Sequence, residues 1–138
     1  MEEILVPVTA FYNKCLTVNT DTDLLEELYN LLDDDFQSIN AKETKSKAQL
    51  MTQIAAFWKI IPNLKWEIKE LLHIDDKVVV RSEFSGTPIG SLFGLTLDGS
   101  KSFKTMAIDI HTVKNGQITN VYHCEEWPTA IEQLKSNS

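Results

Sequence analysis

The chain has 138 residues, 43% of them hydrophobic and 24% charged, and a formal net charge of −7. That length suits a single domain over residues 1–138, able to bury about two-thirds of its unfolded surface without disulfide or metal staples. The acidic balance and the scattered lysines argue against nucleic acid or an anionic membrane surface as a partner, because both need a basic footprint.

The N-terminus, "MEEILVPVTAFYNK", lacks a basic stretch followed by an apolar run. No apolar run approaches the roughly 18 residues that cross a bilayer, so the expected location is cytoplasmic. Ile4, Val8, Phe11, Tyr12 and Cys15 fall on one face at helical spacing, with Pro7 near the start where a missing N–H costs little. A second helix begins at "DTDLLEELYNLL": Asp23 and Glu26 resemble a capping box, and Leu24, Leu25, Leu28 and Leu32 supply the buried face. "DDDFQSIN" has room for a short strand around Phe36. A third helix begins at Ser46 with Gln49 three residues on, carries the stripe Leu50, Ile54, Phe57, Trp58 and Ile61, and stops at Pro62-Asn63.

After Pro62 the period changes to two. "LKWEIKELL" alternates Leu64, Trp66 and Ile68 inward against Lys65, Glu67 and Lys69 outward. Asp75-Asp76 marks a turn, and "KVVVRSEF" is a second strand. "SGTPIGSLFGLTLDGSKS" holds four glycines and a proline and reads as mostly loop, with space for a helical turn, able to close over a cavity mouth. "FKTMAIDIHTV" and "QITNVYHCEEW" are two further strands, and a short helix follows from Trp127 to about Lys135 with Pro128 in its first turn. Helices first and antiparallel strands after them make an α+β domain.

Lys114-Asn115-Gly116 suits a three-residue hairpin loop with a bulge at the glycine. In that register Val113 opposes Gln117, Asp109 opposes Val121 and Ala107 opposes His123. Strand alternation then places Asp109, His111, Thr119, Val121, His123 and Glu125 on one face, and Ile108, Ile110, Ile118, Asn120, Tyr122 and Cys124 on the other. Asp109 and His123 become diagonal neighbours at roughly 7 Å, within reach of direct or water-bridged pairing. An imidazole beside a carboxylate is general acid/base equipment. The same pattern is also what a solvated or subunit-contact face of a curved sheet looks like.

Other chemistry is thin. His73 sits beside a turn and reads as exposed. No HxH or HxxxH pair anchors a metal set around Asp109, His111, His123 and Glu125, so no metal is expected. "GLTLDGSK" does not fit a phosphate-binding loop, and no GxSxG elbow occurs. Cys15 and Cys124, far apart and outside any CxxC, read as reduced apolar residues. Aromatic residues such as Trp58, Trp66, Phe84, Phe93 and Phe103 suit a core as well as a ligand cage.

Over residues 3–135 the chain resembles the SnoaL-like polyketide cyclase and ester cyclase group of the NTF2-like superfamily. The marks are "FWKIIPNLKWEIKELLHIDDKVVVRSEFSGTPIGSLFGLTLDGSKSF" and "IDIHTVKNGQITNVYHCEEW", with Pro62-Asn63-Leu64, Gly86, Gly90, Gly94, Gly99 and Asn115-Gly116-Gln117-Ile118 as the best-matched positions. The resemblance implies a cone-shaped α+β barrel with three N-terminal helices on a curved, mainly antiparallel sheet, an internal pocket, no cofactor, and assembly as dimers or tetramers. In such cyclases an aspartate on the last strand removes a proton α to a carbonyl, and a histidine on the preceding strand assists. Here the sequence after Gly116 places His123 at the aspartate position, and the assisting-histidine position falls near Asp109, so the two partner types are exchanged.

The expected activity is therefore cofactor-free acid/base catalysis of the cyclase or isomerase type, with His123 as base and Asp109 as its orienting partner. The ligand is expected to be a small apolar or carbonyl-containing molecule, in a pocket formed by Tyr12, Phe36, Trp58, Phe84, His111, Val121 and Glu125. The alternatives are a binding protein without chemistry and a homodimeric interaction scaffold.

Overall fold

A computed structural model describes residues 2–135. Helix α1, Leu5–Ala10, runs directly into a π-helical turn, Phe11–Leu16, which ends where the Thr17 N–H donates to the Tyr12 carbonyl at 3.2 Å. The wider turn carries Phe11, Tyr12 and Cys15 into the core, all three buried. Helix α2, Leu24–Leu31, is capped by Asp23, whose carboxylate accepts from the Glu26 N–H at 3.3 Å. Leu28 and Leu32 are buried as expected. Leu25, expected beside them, is 52% exposed: α2 ends at Leu31 and offers a narrow stripe instead of a broad one.

Strand β1, Leu32–Ile39, and the short β2, Thr44–Ser46, lead into α3, Lys47–Ile60. Its capping box is complete: the Gln49 N–H donates to Ser46 Oγ at 3.2 Å and the Ser46 N–H to Gln49 Oε1 at 2.9 Å. Then come β3, Lys65–Ile74; β4, Lys77–Gly86; β5, Ile89–Leu92; β6, Leu95–Asp98; β7, Phe103–Lys114; β8, Gln117–Glu125; and α4, Trp127–Lys135. Six strands form one curved mixed sheet in the order β2-β1-β8-β7-β4-β3, with β1 parallel to β8 and every other neighbour antiparallel. The architecture is the expected α+β, NTF2-like one. No helix of the described residues is long and apolar enough to cross a membrane.

The segment expected as a glycine-rich loop is instead a second, two-stranded sheet made of β5 and β6. Its tip is Phe93-Gly94, both at positive φ (49° and 79°), and Leu92, Leu95 and Leu97 pack against the core. The glycines mark turn geometry here, while apolar residues at two-residue spacing supply the strands. Gly86 serves close packing instead. A Cβ at that position would lie 2.3 Å from Ile61 Cγ2, so only glycine lets the end of β4 pass beneath the end of α3.

The β7–β8 hairpin also differs in register. Its loop has two residues, Asn115 and Gly116, at φ 54° and 78°, a type I′ geometry. A bulge at Thr119 follows, so that Lys114 faces Gln117, Val113 faces Ile118, and Asp109 lies directly opposite His123. The total displacement from the expected register is two residues. An even displacement keeps Asp109, His111, Val121, His123 and Glu125 on one face. Between the loop and the bulge the displacement is a single residue, which moves Ile118, expected outside, into the core beside Val113. That shared polar face is the inner one: Asp109 and His111 are buried, while Ile108, Ile110 and Tyr122 are exposed on the outside.

Lys47 opens α3 and is buried. Its ammonium donates to the carbonyls of Tyr29 (2.9 Å) and Leu32 (3.0 Å), pairs with Asp34 at 3.4 Å, and lies 3.9 Å from the centre of the Tyr29 ring. One charge thus satisfies the carbonyl end of α2 and ties it to α3. Replacing Lys47 by Met keeps the stem and removes the ammonium. We expect a loss of about 2–3 kcal/mol in urea unfolding, since hydrogen bonds to charged groups contribute about 1.5–3 kcal/mol each and the carbonyls stay buried. A loss below about 0.5 kcal/mol contradicts this role.

Candidate active site

Between α3 and the inner sheet face lies a narrow cavity of about 50 Å³ that opens at one mouth. Phe11, Leu16, Leu50, Ile54, Phe57, Leu64, Trp66, Val121 and Trp127 form its apolar wall, and Ser38, Gln53, Asp109, His111, His123 and Glu125 its polar one. Helical spacing turns Leu50, Ile54 and Phe57 toward the sheet. Strand alternation turns Trp66, Asp109, His111, Val121, His123 and Glu125 toward the helix.

The π-helical turn sets Tyr12 between two side chains of β7. Its hydroxyl donates to Asp109 Oδ2 at 2.5 Å, and its oxygen lies 2.9 Å from His111 Nε2. With Asp109 ionised, one proton arrangement satisfies all three groups. Tyr12 gives its only proton to Asp109, so His111 must donate from Nε2–H. Asp109 Oδ1 and His111 Nδ1 are left buried without protein partners. Burial, seconded by the Glu125 charge, pushes the Asp109 carboxyl up to about 8 against the opposing effect of the Tyr12 hydrogen bond. Burial and the neighbouring His123 push His111 down to about 3, so it stays neutral. Burial and Asp109 hold the Tyr12 hydroxyl well above its ordinary range.

A second pair lines the β8 side. His123 Nδ1 is 3.7 Å from Glu125 Oε2, and Trp127 Nε1 donates to Glu125 Oε1 at 2.7 Å. Removal from water raises the Glu125 carboxyl, against the lowering influence of His123, the Trp127 bond and Lys45. Trp127 stacks on Phe57 (5.5 Å, 22°) and meets Phe93 from the β5–β6 tip at 4.9 Å, which closes that end with aromatic rings.

The structure therefore brings Asp109, His111, Val121, His123 and Glu125 to one cavity, with Tyr12 hydrogen-bonded behind them. It separates the expected dyad. Asp109 and His123 are cross-strand neighbours, but Asp109 is bonded to Tyr12 and His123 lies against Glu125. Tyr12, Phe36, Trp58 and Phe84, expected around the ligand, do not line the cavity: Tyr12, Phe36 and Phe84 are buried in the core, and Trp58 turns its indole N–H to the Cys15 carbonyl at 2.7 Å. Trp66 and Trp127 are visible in the sequence only as a strand residue and a helix start. The inward phase of β3 marks Trp66 as buried, but no local signal separates a residue facing a cavity from one facing packed side chains. Among the described residues no three of His, Cys, Asp and Glu converge as a metal set. Cys15 is buried, its thiol pushed up to about 12 by burial, and Cys124 is exposed; both are free.

Comparison with known proteins gives a consistent picture. A family model described as SnoaL-like polyketide cyclase matches residues 7–134. Curated proteins give no significant match. Among solved structures, a candidate SnoaL-like polyketide cyclase from Jannaschia sp. CCS1 is similar at 14% identity and TM-score 0.86, covering 99% of this chain and 94% of that one. A candidate polyketide cyclase from Bacillus cereus is 28% identical at TM-score 0.77, covering 96% and 80%. IdmH, a candidate polyketide cyclase from Streptomyces antibioticus, is 16% identical at TM-score 0.82, covering 98% and 100%.

The buried carboxyl has a consequence for stability. Asp109 binds its proton more tightly folded than unfolded, so its contribution is full below about pH 4 and is lost as pH rises through about 8. His111 acts in the opposite sense: its contribution is full above about pH 6.5 and is lost as pH falls toward 3. The two oppose each other between about pH 4 and 6.5, and above that Asp109 alone lowers stability. Asp109→Asn keeps an acceptor for Tyr12 without a titrating group. Thermal melts from pH 6 to 9 are expected to show the variant gaining on the wild type as pH rises, by a few kcal/mol at pH 9. Parallel curves across that range contradict the assignment.

Proposed function

This chain belongs to the SnoaL-like polyketide cyclase family, and we propose that it is a cofactor-independent acid/base enzyme that removes a proton α to a carbonyl of a small, uncharged molecule. One observation carries the reading: a buried carboxyl with one oxygen fixed by Tyr12 and the other unpartnered, on the wall of a largely apolar cavity. A raised carboxyl is a stronger base than an ordinary one once ionised, and it abstracts a weakly acidic C–H proton better. The proton moves from the α-carbon to Asp109 Oδ1 and returns to carbon or oxygen as an isomerisation or an aldol-type ring closure requires. Tyr12 and neutral His111 hold the carboxyl in place through both states.

The sequence alone assigns the base to His123. The pairing of Asp109 with Tyr12 and of His123 with Glu125 favours Asp109 in that role, with His123 and Glu125 orienting the ligand from β8. No lysine or arginine lines the cavity among the described residues, and two carboxyl groups do, which favours a neutral ketone or ester over an anion. A protein that binds such a ligand without reaction is the alternative, and turnover separates the two.

The outer sheet face supports a second proposal, that two copies associate through it. Ile108, Ile110 and Tyr122 stand exposed side by side on adjoining strands, and Leu72 and Ile74 are exposed on the outermost strand β3. Apolar groups gathered this way on a folded chain mark an interface.

A suitable probe is the bicyclic ketone 2-tetralone in deuterated water, with α-proton exchange followed by mass spectrometry. The rate is expected to rise with pH through about 8, as Asp109 ionises beside Tyr12, His111, His123 and Glu125. Asp109→Asn should lower it at least about 10²-fold, and His123→Ala less. Exchange that survives Asp109→Asn removes the base from this residue. For association, light scattering should give twice the chain mass for the wild type and the single-chain mass for Ile110→Lys; a wild-type monomer at high concentration ends that proposal.

A further inference from the structure

Trp66 lines the same cavity and takes no part in the proton transfer. Its indole Nε1–H is buried and has no partner. The other two tryptophans are satisfied: Trp58 donates to the Cys15 carbonyl and Trp127 to Glu125, each at 2.7 Å. Buried indole N–H groups normally find an acceptor, so an unpartnered one on a cavity wall needs an explanation. Packing leaves the ring little freedom to find one. It stacks on Phe84 at 4.1 Å and 8°, from the position directly opposite on β4, and the Trp66 backbone is clamped by Thr17, which accepts from its N–H at 2.8 Å and donates to its carbonyl at 3.2 Å.

The Trp66 ring also packs near the residue that holds the base. The Trp66 ring centre is 6.1 Å from that of Tyr12, whose hydroxyl holds Asp109. His111 Nδ1, in the tautomer required by Tyr12, is an acceptor and cannot serve an oxygen. Ser38 and Gln53 carry rotatable donors, whereas Trp66 presents a fixed one.

We propose that the Trp66 Nε1–H binds the substrate's carbonyl oxygen and stabilises the enolate oxygen formed when Asp109 takes the α proton. This rests on the acid/base reading above. The electron pair of the broken C–H bond forms the C=C bond, the carbonyl π pair moves to oxygen, the proton goes to Asp109 Oδ1, and the indole keeps its own proton. A fixed donor aimed at developing negative charge stabilises it more than a mobile one, because no reorganisation is needed at the moment of reaction. The ligand class sharpens accordingly: a ketone or ester whose oxygen accepts one hydrogen bond while its α-carbon faces Asp109.

The test uses the full chain and 2-naphthol, a planar analogue of the enol of 2-tetralone. In ¹⁵N–¹H spectra each tryptophan gives one indole signal, and Trp66→Phe, which preserves the stacking on Phe84, assigns the third. Saturating 2-naphthol is expected to move the Trp66 signal downfield and leave that of Trp58 in place. Trp66→Phe is expected to weaken 2-naphthol binding about tenfold and to lower kcat for 2-tetralone exchange about 10²-fold, with a smaller change in KM. An unmoved Trp66 signal overturns the proposal, as does a Trp66→Phe protein that matches the wild type in binding and exchange. If Trp66→Phe does not fold, Trp58→Phe and Trp127→Phe assign the wild-type signals and the shift alone decides. A wild type that shifts Trp66 with 2-naphthol yet exchanges no proton from 2-tetralone sinks the acid/base reading and leaves the contact standing. Exchange that depends on Asp109 with an unmoved indole sinks the contact alone.

Discussion

One hydroxyl organises this molecule's interior. Tyr12 comes from the first helical segment and touches both Asp109 and His111 on β7, nearly a hundred residues away in sequence. Two ionisable groups buried side by side are unfavourable unless each has a partner, and the hydroxyl serves both by donating to one and accepting from the other. That contact fixes the His111 tautomer, holds one carboxyl oxygen of Asp109 and leaves the other unpartnered. The π-helical turn belongs to the same arrangement, because the widened turn carries Phe11, Tyr12 and Cys15 into the core together.

The ordinary rule is broken locally on β7 and β8. The concealed face of the sheet there holds Asp109, His111, His123 and Glu125, while Ile108, Ile110 and Tyr122 meet solvent. A strand buries whichever face its neighbours cover, and here α3 and the N-terminal segment cover the polar one. The desolvation this imposes raises Asp109 and Glu125 and depresses His111. Burying these groups costs stability, which is the pattern found where local rules are broken at a site. Part of the loss is offset nearby by well-satisfied polar contacts, such as Lys47 closing the carbonyl end of α2 and the complete capping box at Ser46.

The cavity wall divides its work between the strands. β7 supplies the carboxyl and its neutral imidazole neighbour, β8 the His123–Glu125 pair, and β3 an indole donor with no protein partner. Aromatic rings from four elements surround Trp127 at one end: Phe57, Phe84, Phe93 and Phe103. Such walls exclude water, which strengthens each polar interaction inside them.

Much of this was legible in the sequence. Apolar periodicity marks the three N-terminal helices, the Ser46–Gln49 cap and the C-terminal helix from Trp127 to Lys135, because these features depend on residues three or four apart. Alternation marks β3, β4, β7 and β8, and parity alone gathers Asp109, His111, Val121, His123 and Glu125. That grouping holds despite the different hairpin loop because the loop and the bulge together displace the register by an even number. Chain-distant choices were not legible. Whether the polar face of β7 points to solvent or to a cavity depends on which side the helices pack. Whether Asp109 pairs with His123 or with Tyr12 depends on a contact across 97 residues. The β5–β6 hairpin, hidden behind four glycines, and the different fates of Phe84 and Trp66 on facing strands depend on packing that no local window contains. The sequence by itself determined the elements and the residues that share a face, since backbone periodicity is local. Only the tertiary structure decided which face is dry and which partner each buried charge meets, since desolvation and hydrogen bonding are settled by whatever the fold brings alongside.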